Sequence, residues 1–106
     1  MPLKVLDPAE RRDRLRLLLS ENVGPITFHQ LIARYGSARD ALQALPELAG
    51  RGGLKRPIRI CPATEAEAHI ESMESMGARL VGIDEKDYPA LLRHIDSAPP
   101  LLGLKG

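Results

Sequence analysis

Residues 15–45 read LRLLLSENVGPITFHQLIARYGSARDALQAL. The stretch predicts a helix, a tight turn, a second helix, a glycine stop and a third helix. Asn22-Val23-Gly24-Pro25 interrupts the first helix. Gly24 accepts backbone angles that side chains resist, and Pro25 suits the opening position of a new helix. Phe28, Leu31, Ile32 and Tyr35 then fall at i, i+3, i+4 and i+7, one face of a helix. Gly36 is a natural C-terminal stop. Ser37 caps the third helix, with Asp40 three residues on as an acidic variant of the capping box. Ala38, Ala41, Leu42 and Leu45 repeat the same spacing.

On the N-terminal side, Met1 to Leu6 reads as a loose arm. Asp7, Pro8 and Glu10 make a strong helix start: a cap, a first-turn proline and a capping-box partner. That helix runs to Ser20 or Glu21, with Leu15, Leu18 and Leu19 as its buried stripe and its arginines mostly outside. On the C-terminal side, Pro46-Glu47-Leu48 opens a further short turn that Gly50, Gly52 and Gly53 end. Residues 54–62 read as loop, briefly extended at Ile58 and Ile60. Thr64 and Glu67 form a capping box for a helix over 64–76, with Ala66, Ile70, Met73 and Met76 inward and Gly77 as its stop.

The pattern then changes. Residues 78–83 predict a short strand, and Asp84 to Asp87 an acidic, solvated turn. Tyr88-Pro89 leads into a helical turn bearing Leu91, Leu92 and Ile95. Ala98-Pro99-Pro100 is rigid, and Leu101 to Lys105 predicts a second strand. Helix, strand, helix, strand is the opening rhythm of an α/β sheet. Two short strands alone are marginal. The expectation is a mainly α chain: a helical domain over 1–76, then an incomplete α/β unit over 77–106.

Composition narrows the function. Aromatic residues are 3% of the chain, so the core is aliphatic and few platforms exist for stacking bases. The net charge of +1 does not by itself predict a nucleic-acid partner. Its distribution is uneven. Arg11, Arg12, Arg14 and Arg16 form one basic cluster, and Arg51, Lys55, Arg56 and Arg59 another. Acids gather at Glu65, Glu67, Glu71 and Glu74, and at Asp84, Glu85 and Asp87. Such clusters make either a basic face or an ordinary solvated surface. Cys61 has no partner for an internal disulfide, which fits a cytoplasmic protein. The run Leu17 to Leu19 is too short to span a bilayer. His29, His69 and His94 stand on three separate segments, and neither a phosphate loop nor a nucleophile elbow is present. No metal site, cofactor site or catalytic site is expected.

Residues 18–31 look like a helix-hairpin-helix motif. That motif turns free backbone N–H groups at a helix N-terminus toward a DNA phosphate. Asn22 stands where the usual pattern has its first glycine, and no basic residue follows until Arg34. The hairpin is therefore either structural or a phosphate contact. In the second case the contact residues are Gly24, Ile26 and Thr27, helped by Arg14, Arg16 and Arg34.

Residues 87–106, DYPALLRHIDSAPPLLGLKG, carry the more specific signal. The spacing of Tyr88-Pro89, Leu91, Ile95, Pro100, Leu102 and Gly106 resembles the DNA-processing protein A family, DprA, also called Smf. Val23-Gly24-Pro25, with Phe28, Leu31, Tyr35 and Gly36-Ser37, is similar to that family's SAM-like N-terminal helical domain. Gly77 to Val81 resembles its first strand. The resemblance implies that 77–106 begins a Rossmann-like domain. It further implies a cytoplasmic protein, not an enzyme, that binds single-stranded DNA in natural transformation, helps load the RecA recombinase and forms a homodimer. The family's main DNA pocket lies in the Rossmann-like domain, beyond these residues. The helical region would then be accessory. The rival reading is a protein-docking module with no DNA contact of its own.

Overall fold

The structure is a computed structural model that describes residues 5–95 and 97–105. The first four residues of the expected N-terminal arm lie outside the described residues. So do Asp96 and Gly106. Four α-helices, α1 (Pro8–Leu19), α2 (Pro25–Tyr35), α3 (Ala38–Arg51) and α4 (Ala63–Ser75), precede a small sheet of β1 (Ala78–Gly82) and β2 (Leu101–Lys105). The chain is mainly helical, as its sequence predicts.

Local chemistry sets most helix ends. The Asp7 carboxylate accepts the Glu10 N–H at 2.7 Å and opens α1. Ser37 does the same for Asp40 N–H at 3.2 Å in α3. Gly36 closes α2 at φ 84°, a left-handed angle that glycine adopts without strain. Two boundaries differ from expectation. α3 runs unbroken through Pro46 rather than ending before it. A proline removes one backbone hydrogen bond. Here Leu45 and Leu48 on either side continue the inward stripe into the core and hold the helix together. α4 begins at Ala63, after Pro62, and its N-cap makes no side-chain hydrogen bond, so the Thr64–Glu67 box does not open it.

Two cores share α1. The first joins Leu17, Val23, Phe28, Leu31, Ala41, Leu42 and Leu45, with Ile58 and Ile60 packed on its edge. The second joins Leu15, Cys61, Ala66, Leu80 and Leu101, with Ile70 and Met73 beside it. Leu18 touches both. α1 therefore buries more than one stripe. Leu17 is fully buried and Leu19 is 41% exposed, the reverse of the expected pattern. Met76, expected inward, is 62% exposed, because α4 ends at Ser75.

β1 and β2 pair antiparallel, with Val81 opposite Leu102. Among the described residues, the segment between them holds a 3₁₀ turn at Leu92–His94 and no α-helix. A parallel pair would need a crossover long enough to return the chain to the same end. Tyr88 anchors this segment: it is buried, and its hydroxyl donates to Pro99 O at 2.7 Å. Leu91 and Ile95 face outward, 87% and 52% exposed.

Candidate nucleic-acid interface

The hairpin between α1 and α2 is fixed from below. Buried Ser20 donates to Arg16 O at 2.6 Å and accepts the Cys61 N–H at 3.2 Å. Asn22 then takes φ 63°, the left-handed angle that asparagine tolerates better than most residues. Val23 drops into the first core. Gly24, in extended conformation, caps α2 without a side-chain hydrogen bond. Its carbonyl accepts the Phe28 N–H at 2.8 Å, the first backbone bond of the helix. Pro25 has no N–H. The N–H groups of Ile26 and Thr27 belong to the first turn, where helix geometry supplies no internal acceptor. Both residues are exposed. Gly24, Ile26 and Thr27 thus share one open helix N-terminus, the positive end of the α2 dipole.

The arginines proposed to assist are elsewhere. Arg34 occupies the last turn of α2, over the Tyr35 ring, about 10 Å along the axis from Thr27 at 1.5 Å per residue. Arg16 donates from Nε to Cys61 O at 3.0 Å and pairs with Asp13 at 3.3 Å. Arg14 is not on the surface at all. It is 1% exposed, holds Asp84 through two bonds of 2.7 and 2.9 Å, and donates from Nε to Glu10 at 2.9 Å. A guanidinium committed to two carboxylates in the interior cannot meet a phosphate. Arg14 therefore leaves the candidate set.

The acidic turn is corrected with it. Asp84 and Glu85 are 7% and 8% exposed rather than solvated. Glu85 accepts from both terminal nitrogens of Arg11, from Gly82 N–H at 2.9 Å and from Leu6 N–H at 3.2 Å. Leu6, expected in a loose arm, is buried as well. Burial works against the Arg14 charge, but Asp84 and Glu10 outweigh it, and its pKa is raised. Burial likewise opposes ionisation of Glu85, yet Arg11 and the two N–H groups hold its pKa below the ordinary value. A lowered folded pKa gives stability that is complete above the unfolded carboxylate's range and is lost as pH falls through the folded value. Stability is therefore expected to decline on acidification below about pH 5. Glu85→Gln should lower stability at neutral pH and flatten that acid limb. Urea titrations at several pH values check this, and an unchanged limb in the variant would refute it.

Beside the hairpin, Glu21 binds the Arg56 guanidinium through both oxygens and accepts the Arg59 N–H at 3.1 Å. These contacts lower its pKa to about 2, so the pair is charged but locally neutral. A groove of about 450 Å³ runs past Thr27, Leu31, Leu45, Leu48, Leu54 and Ile58. The structure also gathers a set of residues not singled out together from the sequence. Arg39, in the first turn of α3, joins Arg12 and Arg16 around a polar recess. The i, i+4 spacing of Arg12 and Arg16 was the available sign; nothing local ties Arg39 to them.

Cys61 is buried, and burial together with Glu65 pushes its thiol pKa up to about 11. Among the described residues no group of three His, Cys, Asp or Glu side chains could hold a metal ion. No helix among them is long and apolar enough to cross a membrane.

No curated protein matches the sequence. A family model does: the DprA-like N-terminal HHH domain matches residues 8–72. The match takes in α1, α2 and α3 whole and most of α4, more than half of the chain. The chain belongs to the DprA-like N-terminal HHH domain family.

Proposed function

We propose that this chain is the N-terminal accessory region of a DprA-like protein whose partner is single-stranded DNA. The open N-terminus of α2 serves as a backbone-phosphate contact. The observation that carries the reading is the pair of exposed, internally unmatched N–H groups at Ile26 and Thr27, in a chain of this family. An unmatched N–H pair at the positive end of a helix favours an anion. A cytoplasmic role without catalysis, in natural transformation and recombination, belongs to the same reading, as do RecA loading and a homodimer of the whole protein.

Fluorescence anisotropy of labelled oligothymidylate tests the proposal. Binding at low salt should weaken at moderate salt, because each neutralised phosphate releases counterions. Thr27→Glu should weaken it further at any salt. A carboxylate in the first turn favours the helix and repels the phosphate, so lost binding would not reflect unfolding. Absence of binding at low salt, or binding indifferent to Thr27→Glu, overturns the hairpin contact.

A second reading, docking to protein with no DNA contact, draws support from exposed Leu91 and Ile95. The loop that follows them meets α2 where His29 Nε2 and Ala98 O lie 2.9 Å apart. It predicts no binding of the oligonucleotide even at low salt.

A further inference from the structure

We propose that the recess between α1 and α3 is a second phosphate site, distinct from the hairpin, that takes a backbone phosphate of the same single strand. The recess has a volume of about 350 Å³ and is lined by Arg12, Arg16, Arg39, Gln43 and the Asp13 carboxylate, over Leu42 and Ile60. This inference rests on the DNA-processing reading above and deepens it by adding a surface.

Arg12 and Arg16 stand one turn apart on the same face of α1. Both are held by Asp13, a buried carboxylate that accepts from Arg12 Nε at 3.2 Å and from Arg16 Nη1 at 3.3 Å. Arg16 is fixed a second time through Nε to Cys61 O at 3.0 Å. Arg12 also reaches Glu67 of α4 at 3.4 Å. Arg39 approaches from α3 and makes no hydrogen bond or ion pair among the described residues. Three guanidiniums therefore meet two carboxylates, and one of the three is uncommitted. Asp13 positions two of them and does not neutralise the third. Gln43, one turn beyond Arg39, adds a neutral donor.

The ligand follows from this donor set. Guanidinium forks match the oxygen pairs of a phosphate and bind it bidentately. Arg39 also sits in the first turn of α3, where the helix dipole favours an anion. The lining holds no aromatic ring, so the recess offers no stacking platform for a base. It is suited to reading the backbone without regard to sequence.

The test uses the whole chain with its arginine side chains labelled with ¹⁵N, following each Nε–H signal by NMR. Inorganic phosphate and oligothymidylate are the two probes. Arg39 and Arg12 signals should shift with both. Arg39→Glu should reduce oligonucleotide affinity by roughly tenfold, the size of one charge-assisted hydrogen bond. The variant should fold, since Arg39 is exposed and an acid suits the first turn of a helix. Oligonucleotide binding that Arg39→Glu leaves intact overturns the recess while the accessory DNA reading stands. Shifts with inorganic phosphate alone would make this a small-anion site and overturn the strand assignment. No oligonucleotide binding at all removes both.

Discussion

Replacing Arg14 with Ala is expected to destabilise the protein by about 3–5 kcal/mol, because it breaks a buried, doubly hydrogen-bonded ion pair. Arg14 is buried and carries the Asp84 and Glu10 carboxylates. Glu10 also accepts the Ala38 N–H at 3.3 Å, at the start of α3. One guanidinium thus links α1, α3 and the turn after β1. Domains of this kind have about 5–15 kcal/mol in total, so the loss approaches the whole of a weak fold. Urea denaturation followed by far-ultraviolet circular dichroism measures it. Arg14→Lys should fall between, since an ammonium keeps the charge and loses the two-pronged grip on Asp84. Arg14→Met combined with Asp84→Leu should recover part of the loss, because apolar side chains of similar size replace a buried ion pair. A cost below about 1 kcal/mol for Arg14→Ala would mean that the pair is not the tie it resembles. Such substitutions report on the fold, and a loss of DNA affinity in them would follow from unfolding.

The same residues explain what could be read in advance. α2 and α3 were legible because their caps are local and each buries a single stripe. Gly36, Ser37 and the Phe28, Leu31, Ile32, Tyr35 face lie within a few residues of one another. The ends of α1 were legible too, from Asp7 and Pro8, but its buried faces were not, because it is packed on two sides and buries a charge. Arg14 and Asp84 stand 70 residues apart, and nothing near either announces the other. An acidic cluster looks the same in sequence whether water or an arginine faces it. The strands were legible as apolar runs, but their direction was not: apolar pattern is silent on whether a connection crosses over or folds back. Pro46 misled for a different reason, since its cost to the helix is local and the burial of Leu45 and Leu48 around it is not. At the hairpin the turn could be read, including the left-handed tolerance of Asn22. The convergence of Arg12, Arg16 and Arg39 could not, because it arises from the packing of α1 against α3.

Phe28→Ala is expected to cost about 3–5 kcal/mol, as large as the loss at Arg14 but by another route. Phe28 is the single phenylalanine of the chain and is 1% exposed in the first core. Its neighbours there include Leu17, Leu31 and Leu42, presented by three different helices. Helices joined by short turns cannot all close on a void left in the middle, so much of the cavity should persist and add to the lost burial. Phe28→Leu fills most of that space and should cost about 1 kcal/mol. The pair of variants separates fold from function. The hairpin contact is made by main-chain groups at Ile26 and Thr27, and the Phe28 side chain points away from them into the core. Phe28→Leu should therefore keep salt-sensitive oligonucleotide binding, while Phe28→Ala should lose it as α2 loosens. Thermal melts give the stability of each, and amide exchange at residues 26–35 reports the helix directly. Protection in α2 that survives Phe28→Ala would show that the hairpin is held by Ser20, Cys61 and the second core instead, and would move the centre of stability from α2 to α1.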